Sequence, residues 1–260
     1  MAAIRDNLQA VLTRIARAAE AAGRSPASVR LLAVSKTHPP ALVEEAFRAG
    51  QAAFGENYVQ EALHKMDALA GSLGEELART LEWHLIGPLQ SNKTRIAAER
   101  FAWVHTLANV KVARRLSDQR PASLAPPLNA LIQVNVSGEA SKSGVAPDEA
   151  PALARAIARL PRLRLRGLMA IPEPAPETEV QRARFRPVRE LYERLRDEGL
   201  ALDTLSLGMS DDMEAAIAEG STLVRIGTAL FGPREQQDTH PGTREPRPPD
   251  RKPPATRTVA

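Results

Sequence analysis

LSLGMSDDMEAAIAEGSTLVRIGTALFG, residues 205–232, holds the repeating unit of the chain in its most compact form. An apolar run reaches Gly208, a polar turn follows, and a short helical pattern starting near Ser210 closes at Gly220. A second apolar run, LVRI, then reaches Gly227, and TALFG begins the turn and helix again. Parallel strands need a crossover between them, most often a helix, so strand–helix–strand in so little chain describes a parallel pair. The same alternation recurs toward the N-terminus. Strand-like runs occupy 30–35, 52–56, 82–87, 102–106, 129–136, 165–171, 204–208 and 223–227, with helical patterns between them. Gly50, Gly199 and Gly220 sit where a left-handed residue ends a helix, and Asp148 and Ser210 where helix N-terminal signals belong. Eight such units predict an α/β fold, a (β/α)8 TIM-type barrel. An open doubly wound sheet is the alternative, but no GxGxxG follows any strand. The helix expected after the last strand is missing. The amphipathic segment 3–22 is expected to replace it as an extra N-terminal helix on the outside of the barrel.

Composition narrows the function classes. The chain has 260 residues, 43% hydrophobic but only 3% aromatic, so aliphatic side chains must fill the core. There is no cysteine, which excludes disulfide and thiol chemistry. Charged residues interrupt the N-terminal segment, so it does not read as a signal peptide, and no run is apolar enough to span a bilayer. A cytoplasmic protein without a membrane partner is the expectation. The sequence pI near 9.7 suggests nucleic acid, yet the formal net charge is only +4. In the basic run RAIARLPRLRLRG (155–167) arginines alternate with leucines, as on the outer face of a half-buried strand. Aromatics for base stacking are absent from it, so no nucleic-acid partner is expected. Residues 1–232 are expected to form a single barrel domain, and the Pro- and Arg-rich 233–260 a disordered tail.

In barrels of this type the working residues occupy the C-terminal ends of the strands. Those ends include Lys36, the Gly55-Glu56-Asn57 triplet, Gly87, His105, Ser137, Met169, Met209-Ser210 and Gly227-Thr228. Lys36, in LLAVSKTHPP (31–40), shares strand parity with Leu32 and Val34 and projects into the mouth if they face inward. A desolvated lysine has a lowered pKa and can attack an aldehyde, which arginine cannot do. Only six of the 35 basic residues are lysines, so its choice here is informative. Lys36 reads either as a reactive amine or as a salt-bridged rim lysine. The turns at Ser210 and at Gly227-Thr228 follow strands seven and eight, where barrels often bind phosphate. Asp211 and Asp212 oppose that reading unless they point away. Arg225, inside the last apolar strand, needs an acceptor: a carboxylate from Asp203 or Glu214, or a ligand heteroatom. His84 reads as a packed structural histidine, and no histidine has metal-ligand spacing.

LLAVSKTHP, FGENYVQEALHK, EWHLIGPLQSNKTR, VNVSGEASKSG, LRGLMAIP and LSLGMSDDMEAAIAEGSTLVRIGTALFG occur in order from about residue 30 to 232. Together they resemble the pyridoxal phosphate homeostasis proteins, single-domain relatives of the alanine-racemase barrels. The resemblance implies that Lys36 holds pyridoxal 5′-phosphate as a Schiff base and that Arg225 meets its pyridine nitrogen. It further implies that Ser210, Gly227 and Thr228 hold the phosphate, with Asn57 beside the ring. Leu85 and Leu207 depart from the family pattern, at positions of packing rather than chemistry. An arginine opposite the ring nitrogen leaves that nitrogen unprotonated and weakens the ring as an electron sink.

The resemblance therefore implies a cofactor carrier that is not an enzyme, a monomer, with pyridoxal-phosphate-dependent apo-enzymes as candidate recipients. The alternatives are a racemase-like enzyme using Lys36, with Tyr58 as a second base, and a lysine-dependent barrel aldolase. Lys142, in a rim loop, is a candidate second and weaker cofactor position.

Overall fold

The structure is a computed structural model that describes residues 2–124, 126–137 and 143–233. Its eight strands are β1 (Arg30–Val34), β2 (Ala53–Glu56), β3 (Glu82–Leu85), β4 (Trp103–Leu107), β5 (Leu128–Gln133), β6 (Leu163–Met169), β7 (Thr204–Ser206) and β8 (Leu223–Ile226). Each pairs in parallel with its neighbour in sequence, and β8 pairs with β1, Leu32 lying opposite Arg225. The sheet is a closed barrel, as the eight-unit alternation predicts. The helices are α1 (Ala2–Ala21), α2 (Pro40–Arg48), α3 (Val59–Leu73), α4 (Glu75–Ala78), α5 (Thr94–Arg100), α6 (Val110–Gln119), α7 (Ala150–Ile157), α8 (Thr178–Asp197), α9 (Met213–Ala218) and α10 (Thr228–Phe231).

Strand parity divides the core into two compartments. Ala33, Phe54, Leu85 and Val224 point outward and join the helices in one large apolar layer. Residues of the other parity point inward. Leu32, Ala53 and Leu223 form one interior cluster with Ile86, and Trp103, Leu131 and Met169 form another. Full burial of a leucine such as Leu32 contributes roughly 1.5–3 kcal/mol. Between the two interior clusters runs a polar band containing His84, His105, Ser206 and Arg225, all buried.

The helices over the last two strands are short, six residues in α9 and four in α10. Helix α1 completes the ring there. Its apolar stripe of Ile4, Leu8, Val11, Ile15 and Ala19, spaced by three and four residues, is buried. Asn7 donates to the Leu230 carbonyl at 3.0 Å, and Arg14 pairs with Glu214 at 2.9 Å. A helix does follow the last strand, contrary to expectation, but α10 is a single turn, and the extra N-terminal helix completes the outer layer beside it. Among the described residues no helix is long and apolar enough to cross a membrane.

Candidate functional site

The chain around Lys36 is pinned on both sides. The Ser35 hydroxyl donates to Glu56 Oε1 at 2.6 Å, and its carbonyl accepts from Lys65 Nζ at 2.6 Å. Lys65 also bonds Glu56 and Glu61, each at 2.7 Å, in a cluster shielded beneath α3. Burial raises the Glu56 pKa, and Lys65 pulls against that rise. Thr37 adopts a left-handed backbone, φ 67°, and its N–H donates to Glu61. That conformation costs a β-branched residue on the order of 1–3 kcal/mol, so neighbouring contacts must hold it. Glu61 and Lys65 do so. Lys36 is thereby fixed on the inward parity of Leu32 and Val34, at the mouth of the barrel.

Arg225 forms the polar floor beneath that mouth and is 4% exposed. Its guanidinium donates to the Ser206 carbonyl at 2.7 Å, the Ser206 hydroxyl at 2.8 Å and the Ala170 carbonyl at 3.0 Å. Neither expected carboxylate reaches it: Asp203 is taken by Arg166 at 2.7 Å and Glu214 by Arg14. Burial lowers its pKa to about 10, a fall that the charge of Asp212 limits, so it remains a cation at neutral pH. A buried cation whose hydrogen-bond shell is carbonyl and hydroxyl oxygen is poised for an electron-rich group above it.

All six residues expected to bind the cofactor, Lys36, Asn57, Ser210, Arg225, Gly227 and Thr228, line one cavity of about 360 Å³ at the C-terminal ends of the strands. Thr106, Gln133, Ser143 and Asp211 complete its polar lining, and Gly87 adds backbone. A larger groove of about 600 Å³ lies outside the barrel between α3 and α5, at the N-terminal starts of β3 and β4, away from the C-terminal strand ends. The family model of the alanine racemase N-terminal domain matches residues 6–235. A pyridoxal phosphate homeostasis protein of Pseudomonas aeruginosa is 61% identical over 90% of this chain and 97% of its own. The chain belongs to the pyridoxal phosphate homeostasis protein family. PipY of Synechococcus elongatus, solved with pyridoxal phosphate bound, matches at 36% identity with a TM-score of 0.75, over 88% of this chain and all of that one. An alanine racemase of Corynebacterium glutamicum, 19% identical, shares the fold with a TM-score of 0.64 over 88% of this chain and 61% of its own.

The site has what the family's cofactor requires. The cavity lies within the ~300–1,000 Å³ range of small-molecule pockets, with an amine on its wall and a buried cation at its floor. Backbone approaches closely where glycines permit it. A Cβ at Gly87 would overlap the Asn57 backbone, and one at Gly227 would come within 3.2 Å of the Val34 carbonyl.

Several expected placements change. The helix after β7 begins at Met213 and not near Ser210, because Asp212 turns back and accepts from the Met209 N–H at 2.6 Å. Ser210 therefore sits in the turn itself. That contact holds Asp212, while Asp211 remains on the cavity wall. Glu56 points outward to Lys65, and His105 and Met169 lie in the barrel interior below the rim. Strand β5 ends at Gln133, three residues before the expected end, so Gln133 and not Ser137 faces the cavity. Thr106 was one residue from the expected rim position. Tyr58 is 62% exposed and is not part of the cavity wall. Lys142 and the tail beyond residue 233 lie outside the described residues.

Proposed function

We propose that this protein binds pyridoxal 5′-phosphate as a Schiff base on Lys36 and serves its homeostasis by buffering or delivering it, without turning over a substrate. The observation that carries the proposal is the convergence of Lys36 and Arg225 on one cavity at the strand ends. The relative PipY, solved with the same cofactor, supports it. In this reading Lys36 supplies the attacking amine and Arg225 donates toward the ring nitrogen. Ser210, Gly227 and Thr228 take the phosphate, and Asn57 lies along the ring. Arg225 stays charged and donates, so it does not promote protonation of that nitrogen, and carbanion chemistry gains little. The exposed Tyr58 offers no second base inside the cavity, and the high-identity relatives carry the name of homeostasis proteins rather than of an enzyme. The carrier is proposed to act as a monomeric barrel ending near Gly232, with apo-enzymes as recipients.

Purified protein with added cofactor should absorb near roughly 420 nm, as a protonated imine does. Borohydride reduction followed by peptide mapping should place the label on Lys36, and Lys36→Ala should lose most of it. Equal labelling of the Lys36→Ala variant would defeat the proposal. Truncation after Gly232 should leave the band in place, and its loss would assign the tail to the site.

A further inference from the structure

The polar band inside the barrel is a chain of hydrogen bonds from one mouth to the other. At the N-terminal mouth Glu82 accepts from Arg30 at 2.8 Å and meets His84 Nε2 at 2.7 Å. His84 Nδ1 meets His105 Nε2 at 2.9 Å. His105 Nδ1 meets the Ser206 hydroxyl at 3.5 Å, the longest link, and that hydroxyl accepts from Arg225 at 2.8 Å. His84, His105 and Ser206 are each fully buried.

Chemistry at the two ends sets the polarity of every link. Arg225 can only donate, and an ionised Glu82 can only accept. Burial opposes ionisation of Glu82, but His84 and Arg30 outweigh it and bring its pKa to about 2. Burial lowers the pKa of both histidines, so both are neutral at neutral pH. Ser206 must then donate to His105 Nδ1, His105 Nε2–H to His84 Nδ1, and His84 Nε2–H to Glu82. Aligned bonds in a low-dielectric interior polarise one another in the same sense. Other charges facing the chain are Arg166, whose guanidinium lies 4.7 Å over the Trp103 ring stacked on His84, its partner Asp203, and Asp212 near Arg225.

We propose that Glu82, His84, His105 and Ser206 are positioning residues for Arg225. They hold its guanidinium in one orientation and carry the influence of the Glu82 charge from the far mouth to the cofactor side of the barrel. The proposal rests on the cofactor reading above for its effect, but the chain's own polarity is independent of any ligand.

The cofactor-free protein provides the first test, by 15N–1H imidazole spectra. Both His84 and His105 should be neutral Nε2–H tautomers at pH 7. In Glu82→Gln, which keeps shape and removes charge at the partly exposed mouth, the 15N signals of both rings should move. An Nδ1–H tautomer or an imidazolium at either position, or movement of His84 alone, would overturn the relay. The second test is the pH midpoint of the bound cofactor's visible band. Loss of the negative charge should lower it by roughly half a unit, about threefold in proton affinity. Ser206→Ala, which breaks the last link, should lower it similarly while leaving the response of His84 to Glu82→Gln intact. An unmoved midpoint in both variants, with tautomers as expected, would refute action on the site. Failure of the wild type to form the band would refute the cofactor reading instead, and the tautomers would still decide the chain's polarity.

Discussion

Replacing Lys65 by methionine removes the charge that organises the Lys36 segment while keeping most of the volume. The Lys65 side chain is 2% exposed and that of its partner Glu56 0%, so water contributes little to either. Removing one partner of a buried pair costs about 3–5 kcal/mol, because the other charge is stranded. Glu56 Oε2 has no hydrogen-bond partner among the described residues, so the ionised group depends on its other oxygen alone. Without Lys65 that oxygen keeps only the Ser35 hydroxyl. Glu56 then avoids the full penalty by taking up a proton, which places the expected loss near the lower end, about 3 kcal/mol. At about 2–4 °C per kcal/mol for a domain of this size, Tm should fall by roughly 6–12 °C.

The pH dependence follows from the same carboxyl. Burial raises the folded-state pKa of Glu56, opposed by Lys65, and in the variant the opposition is gone. A carboxyl whose folded pKa lies above its unfolded value favours the fold below the unfolded pKa, and that contribution is lost as pH rises through the folded pKa. The deficit of Lys65→Met against the wild type should therefore be smaller near pH 5 than near pH 8. Urea unfolding of the cofactor-free protein, followed by circular dichroism at both pH values, measures it. A deficit below about 1 kcal/mol, or one equal at the two pH values, would show that the cluster is not a sheltered ion pair. Because Lys65 and Glu61 also hold Ser35 and Thr37, borohydride labelling of Lys36 should slow in the variant even where it remains folded.

Gly87→Ala would place a methyl group against the Asn57 backbone and displace one wall of the cavity. Overpacking of this kind costs about 1–3 kcal/mol; cofactor affinity measured by absorbance titration should fall, and unchanged affinity in the folded variant would remove Asn57 from the site. Glu219 is buried and forms ion pairs with Arg182 and Arg189 at 2.9 Å and Arg186 at 3.4 Å, tying α8 to the end of α9. Glu219→Gln leaves three partly exposed arginines rather than a buried charge, so it should cost only about 1–3 kcal/mol in denaturant and leave the visible band unchanged.

The parts of this fold that could be read from sequence are those governed by periodicity. Alternation puts Leu32, Val34 and Lys36 on one face, because side chains on a strand repeat every second residue, and closure of the barrel makes that face the interior. The same two-residue repeat puts Arg225 on the inward face of Leu223. What it could not place were residues whose position depends on where a strand stops or how a turn closes. Apolar residues continue past Gln133 through Val134 and Val136, so pattern alone carried β5 too far. The helix after β7 starts late because one aspartate, Asp212, bonds back to Met209, a choice among neighbouring polar residues that composition leaves open.

His84 and His105 illustrate a different limit. His84 reads from sequence as a packed core histidine and His105 as a residue at a strand's working end, yet both are buried in the core. Their joint meaning depends on contact between strands and on the closure that brings β7 and β8 beside them. Arg225 could be read as needing an acceptor, but the natural candidates by charge, Asp203 and Glu214, are paired with other arginines. The acceptors turned out to be neutral oxygens of Ser206 and Ala170, which no charge pattern announces. That substitution matters for function. A carboxylate bonded directly to it would neutralise the guanidinium and blunt its pull on a ligand, whereas the hydrogen bonds that Arg225 donates to neutral oxygens orient it and leave its charge available to the cavity. The site's electrostatics are thus set less by its own rim than by what lies beneath it.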